Sequence, residues 1–399
     1  MIVHGPASAN YDIDLGVLPV TDWYYDTAYQ VGIQTNNDLQ QGMGGPPGDN
    51  ILINGTNKNS AGAGQYFQAT LTPGKKHRVR IVNTSVDNAI RVSFDNHQMQ
   101  VITADLVPIE PIYTDSVLLA IGQRYDVVIH ANRPVANYWI RATVEYACYT
   151  ANHGAGLAIF HYAGASSRDP TTRSTALDNG CNPPGMLTPW VPNNVGSEAA
   201  FKQQATALEV NIEVPGTTSN NQNVVVWGIN MTAIQAQWDN PTLSYVMTGN
   251  TSYPVTANLI EIPNEGIWTY WIIQEVEGGP ASIPHPIHLH GHDFYIMGTG
   301  FGTFNISSDP DTLTYQNPTR RDTTFLPAGG WLVIAFQADN PGAWLMHCHI
   351  AWHISEGLGV QFLEAKNKIK LPGASYTDQC NAWKSYYANA IHKQDDSGL

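Results

Sequence analysis

Ala338-Asp339-Asn340-Pro341-Gly342-Ala343-Trp344-Leu345-Met346-His347-Cys348-His349 places a turn signal directly before an apolar run, and the run ends in three metal-capable donors. A related sequence stands earlier in the chain. Ala131-Asn132-Arg133-Pro134 leads there to Tyr138-Trp139-Ile140, which continues as Arg141-Ala142-Thr143-Val144. Both copies extend upstream, through Gly122-Gln123-Arg124-Tyr125 and Gly329-Gly330-Trp331-Leu332. Such self-similarity means that one kind of domain folds twice. Runs at 51–53, 90–94, 98–102, 116–120, 125–129 and 138–144 are short, apolar and separated by turn residues, the pattern of a sandwich or barrel. Runs at 66–71 and 77–82 flank Thr72-Pro73-Gly74 and read as a hairpin-like pair, while 7–50 begins with Asp-, Tyr- and Gly-rich sequence. A second block shows further strands at 208–214, 224–229, 267–276, 294–298 and 331–336.

Only the second copy carries donors. In an extended strand, successive side chains point to opposite faces, so Cys348 faces one way and His347 and His349 the other. One strand can therefore serve two metal centres. His285-Pro286-Ile287-His288-Leu289-His290-Gly291-His292 divides in the same way, since His288 and His290 share a face that His285 does not. His285, Cys348 and His353 make one mononuclear set, and His288, His290, His347 and His349 converge on another. Two imidazoles and a thiolate are the donors of a blue copper site. A closed structural zinc site does not explain the alternation.

The chain has 399 residues, enough for two or three domains. Only 13% are charged, while Gly and Pro number 35 and 25, which favours strands and turns. A net charge of -14 argues against nucleic acid or an anionic membrane as partner. The sequence contains no apolar run long enough for a transmembrane helix. The opening Met1-Ile2-Val3-His4-Gly5-Pro6 shows neither the basic region nor the apolar segment of a signal peptide. Five Asn-x-Ser/Thr sequons, at Asn54, Asn83, Asn230, Asn250 and Asn305, nevertheless fit a secreted protein. Cys148 and Cys181 flank the start of a Pro-, Ser- and Asn-rich stretch and in an oxidising compartment could pin it to the first domain; the alternative is two unrelated thiols. If Cys348 is a metal ligand, three cysteines remain, and one of those must lack a partner inside the chain.

The motifs HPIHLHGH and HCHIAWHISEGLGVQF resemble the third and fourth copper-binding motifs of the multicopper oxidases and are close to those of the ascomycete laccases. The likeness extends through Gly5 to Asn10, Asn50 to Thr56, Arg320-Arg321-Asp322, Asn340 to Trp344 and the terminal Asp396-Ser397-Gly398-Leu399. The resemblance implies an all-β chain of two tandem cupredoxin-like, Greek-key domains, matching domains 2 and 3 of a three-domain laccase. Residues 1–164 would form a copper-free domain walling the substrate pocket, 165–204 a linker, 205–370 the copper-bearing domain, and 371–399 an extension with a plug-like tail.

Carried over residue by residue, His285, Cys348 and His353 would bind type 1 copper, His288 the type 2 copper, and His290, His347 and His349 the type 3 pair. Leu358, ten residues after the cysteine, falls at the axial position, where a leucine cannot ligate and the potential should rise. Asp87 on sequence alone is a loop carboxylate; the resemblance makes it the acceptor of the phenolic proton. The implied activity is one-electron oxidation of phenols or aromatic amines, with electrons entering at His353, leaving through Cys348, and reducing O2 to water. The family is secreted and associated with lignin degradation. Four further histidines of the family's trinuclear site, from an N-terminal cupredoxin domain, have no counterpart in these motifs, and the counterpart of Cys380 bridges to that domain. This leaves a second expectation, a copper-binding or electron-transfer protein without oxidase activity. Histidines 4, 77, 97, 130, 153, 161 and 392 read as ordinary strand or loop residues, and His292 as a residue behind the ligands.

Overall fold

A computed structural model describes residues 5–174, 180–182, 185–217, 223–276 and 282–399. His4 therefore lies outside the described residues, as does part of the expected linker. The chain forms two compact units, 1–35 with 44–194 and 316–324, and 36–43 with 195–315 and 325–399. The expected linker is divided between them after Asn194.

The first unit contains β1 (Ile13–Trp23), β2 (Asn50–Ile53), β3 (Phe67–Leu71), β4 (Lys76–Asn83), β5 (Ile90–Phe94), β6 (Met99–Ala104), β7 (Val107–Thr114), β8 (Ser116–Leu119), β9 (Arg124–His130), β10 (Asn137–Val144) and β11 (Ala155–Tyr162). They form two sheets, ordered β2-β1-β4-β9-β6-β7 and β3-β11-β10-β5-β8. Alternate residues of β10, Tyr138, Ile140, Ala142 and Val144, are buried, as the two-residue period requires. With Val92, Phe94, Val127 and Phe160 they fill one apolar core, each large side chain stabilising the fold by about 1.5–3 kcal/mol.

The second unit repeats this plan. Its strands are β12 (Thr206–Thr217), β13 (Asn223–Ile229), β14 (Leu259–Ile262), β15 (Trp268–Glu275), β16 (His285–Leu289), β17 (Phe294–Phe301), and, after β18 (Thr319–Arg321) and β19 (Thr323–Leu326), β20 (Gly330–Gln337), β21 (Gly342–Cys348) and β22 (Gly359–Glu364). The order β13-β12-β15-β20-β17 matches β2-β1-β4-β9-β6, and β14-β22-β21-β16 matches β3-β11-β10-β5. The quoted repeats thus occupy β9–β10 and β20–β21.

Two expectations change. The runs at 66–71 and 77–82 are not a hairpin. β3 pairs in parallel with β11, while β4 lies in the other sheet between β1 and β9. The turn is real, but Gly74 adopts φ +78 and donates to the Ala131 carbonyl, which turns the chain from one sheet to the other. The stretch 7–50, to which the sequence pattern assigned no element, holds β1 and the helix α1 (Ala28–Leu39). β1 was obscured because its register shifts between Asp14 and Val17 and because Asp22 occupies a buried position. Finally, the Asn83 sequon is closed. Asn83 is buried and its amide donates to the carbonyls of Asn88 and Leu119, whereas the other four sequon asparagines are exposed.

Candidate metal centre

β16 and β21 run antiparallel with Ile287 opposite Cys348, His288 opposite His347 and Leu289 opposite Met346. Cross-strand partners share a face, so this register puts His288 with His347 on one side. His285 and Cys348 then lie on the other. Gly291 ends the first motif at φ +77, a conformation L side chains avoid, and a Cβ there would collide with the Trp344 ring.

Beyond Cys348 the chain forms the short helix α2 (Ala351–Ser355) and turns back. The Leu358 N–H donates to the His353 carbonyl at 2.9 Å, and the Leu358 carbonyl accepts from the Cys348 N–H at 3.1 Å. This loop returns His353 to Cys348. Cys348 Sγ lies 3.6 Å from His285 Nδ1 and 3.5 Å from His353 Nδ1, and the two Nδ1 atoms are 3.2 Å apart. Two imidazole nitrogens and a sulfur this close together could share a single cation. The donor set fits a type 1 copper. His285, Cys348 and Leu358 are fully buried and His353 is 9% exposed. Burial holds His285 down to about 3 and His353 well below the usual imidazole range, so protons compete poorly for these nitrogens.

On the opposite face, the ligand atoms of His288, His290 and His347 lie within 4.8 Å of one another. His290 Nε2 and His347 Nε2 are 3.2 Å apart. The His349 ring joins the edge of this group, 5.5 Å from the rings of His288 and His347. His347 Nδ1 bonds the Cys348 carbonyl at 2.8 Å, which leaves its Nε2 lone pair facing the cluster. Burial, reinforced by the neighbouring imidazoles, pushes His347 down to about 3.

Asp87 is half-buried in the first unit. Burial first, and then the Asp22 carboxylate, raise it to about 7, where a carboxyl can take and release a proton near neutrality. Asp22 holds the Asp87 loop by accepting from the N–H groups of Val86 and Asp87 and from the Asn88 amide.

Four residues at these sites were not evident in the sequence. Trp227 sets its ring 4.4 Å from His353 and 5.1 Å from His285, fixing both imidazoles. Glu275 places Oε1 3.6 Å from His285 Nε2, and burial raises its carboxyl to about 7. The only signal for Glu275 was an acid closing an apolar strand. Asp22 sat in a stretch to which the sequence pattern assigned no element. Ser397 was quoted only within the tail; its hydroxyl donates to the Ile354 carbonyl and its N–H to the Ser355 carbonyl, seating the tail on α2. His292, expected behind the ligands, bonds Glu364, whose second oxygen accepts from the Asn340 N–H. His77, His97 and His161 bond Thr72, Tyr162 and Asn137, as ordinary strand and loop residues do.

Residues 14–165 and 220–368 match two family models, each described as multicopper oxidase. Laccase-3 of Botryotinia fuckeliana is 48% identical over 91% of this chain and 80% of its own length. A laccase of Neurospora crassa and Laccase-1 of Melanocarpus albomyces are each 44% identical over 100% of this chain, which spans 65% of their lengths. The crystal structure of the Botrytis aclada laccase superposes with a TM-score of 0.89 at 35% identity, covering 100% of this chain and 73% of that one. The multicopper oxidase Fet3p, at 21% identity and a TM-score of 0.79, shares the fold. With two cupredoxin-like domains and donors suited to copper, the chain belongs to the multicopper oxidase family.

Proposed function

We propose that this chain supplies the type 1 copper site and half of the trinuclear site of a laccase-like oxidase acting on phenols or aromatic amines. The observation that carries this reading is the meeting of Cys348 with the Nδ1 atoms of His285 and His353 in the interior. Two imidazole nitrogens and a sulfur around one buried point suit a cation. Bound copper would supply single-electron acceptance at this site and dioxygen reduction at the histidine cluster.

The chain's own residues provide the rest. Trp227 holds the imidazoles in place, and the backbone through Cys348 joins one donor set to the other, since its carbonyl orients His347. Asp87 would accept the proton that a phenol loses on oxidation, and Asp22 keeps that carboxyl in position. His288, His290, His347 and His349 would hold the type 2 and type 3 coppers with four more imidazoles contributed by further polypeptide. Four imidazoles alone favour the second reading for this chain in isolation, a copper-binding or electron-transfer protein. Export is part of the proposal, and the Cys148–Cys181 disulfide suits an oxidising compartment.

Oxygen uptake by the copper-loaded chain, with a phenol as reductant, separates the two readings. A blue protein that consumes oxygen supports the oxidase. A blue protein that consumes none keeps the type 1 site and assigns oxygen reduction to the completed assembly.

A further inference from the structure

We propose that Glu275 is a positioning residue for the copper site, accepting a hydrogen bond from the Nε2–H of His285 so that Nδ1 is left free toward Cys348. The proposal rests on the reading of His285, Cys348 and His353 as a copper site. His285 Nε2 and Glu275 Oε1 are both buried, lie 3.6 Å apart, and make no other hydrogen bond. Two polar atoms that are isolated from water and face each other are natural partners. A closure of about 0.5 Å brings them to hydrogen-bond length. Neither group is free to turn away. Glu275 Oε2 accepts from the Gly329 N–H at 2.7 Å, and the edge of Trp227 packs on the His285 ring.

The internal repeat supplies an independent observation. The registers of β4 with β9 and of β15 with β20 place Asn83 at the position of Glu275. Those of β5 with β10 and of β16 with β21 place Ile90 at the position of His285, since the Asp95 N–H donates to the Trp139 carbonyl as the His290 N–H does to the Leu345 carbonyl. The copy without the histidine also lacks the carboxylate, and Asn83 bonds two backbone carbonyls instead. The acid accompanies the ligand. A carboxylate behind a coordinating imidazole fixes its tautomer and raises its basicity, which favours the more highly charged state of the metal. Glu275 therefore lowers the type 1 potential, opposing the effect of a non-ligating Leu358.

Pulsed electron paramagnetic resonance of the copper-loaded chain tests this, because the quadrupole coupling of a remote ring nitrogen falls when its N–H bonds a carboxylate. The unaltered chain should show two unequal remote nitrogens. In Glu275→Gln the smaller coupling should rise toward the larger, the potential should rise, and copper should bind about 10–100-fold more weakly. Two equal, unreduced couplings in the unaltered chain overturn the proposal, even if the variant fails to fold. So do an unchanged coupling and potential in a folded variant. Absence of a type 1 signal from the unaltered chain overturns the copper reading itself.

Discussion

His285 Nδ1 lies 3.2 Å from His353 Nδ1 although 68 residues separate them in the chain. In the protein interior one proton at most can serve this pair, whereas a cation bonded to both and to Cys348 satisfies every lone pair. The fold brings the three donors together by two devices, the β16–β21 register and the return through Leu358.

Leu358 is the first lever on that site. It is fully buried, and its backbone bonds those of Cys348 and His353. Leu358→Met conserves volume, so it should cost under about 1.5 kcal/mol in stability. A thioether at the axial position should lower the type 1 potential. Redox titration of the blue band checks this; a potential that stays or rises would place Leu358 away from the axial position.

Glu356 gives a prediction about pH. Its Oε1 is buried without a hydrogen bond, and burial raises the carboxyl from 4.5 to about 8. The folded chain therefore keeps this proton longer than the unfolded chain does. The stability linked to the protonated group is complete below about pH 4.5 and is lost as the pH rises toward 8. The loss is on the order of a few kcal/mol. Glu356→Gln removes this dependence, so the gain in thermal midpoint of the copper-free variant over its parent should grow between about pH 5 and pH 8. A difference independent of pH would contradict the assignment.

The Cys148–Cys181 disulfide closes a separation of 33 residues in the first unit. A loop of that length restricts the unfolded chain enough to stabilise the fold by about 3–4 kcal/mol. Replacing both cysteines with serine should lower the unfolding free energy of that unit by this amount, with the blue colour unchanged. Loss of colour in a folded variant would tie the disulfide to the copper site.

The two groups of candidate donors were legible because strand periodicity is strict. Once 347–349 and 285–290 read as strands, parity separated His285 and Cys348 from the other histidines, whereas His353 reaches its partners through the helix and the turn at Leu358. The doubled domain was legible because its turn signals recur at matching positions. Strand pairing was not, because a turn such as Thr72-Pro73-Gly74 looks the same whether it closes a hairpin or passes the chain between sheets. The burial of Asn83, and the approach of Trp227 and Glu275 to His285, depend on contacts between strands far apart in sequence. Local pattern carries no record of them.

The central claim is that Cys348 joins His285 and His353 in a type 1 copper site. Copper titration of the chain and of Cys348→Ser, followed by visible absorption, tests it most directly. The account predicts an intense blue thiolate-to-copper band that saturates in the parent chain and is absent from the folded variant. A band of equal intensity in both would contradict it.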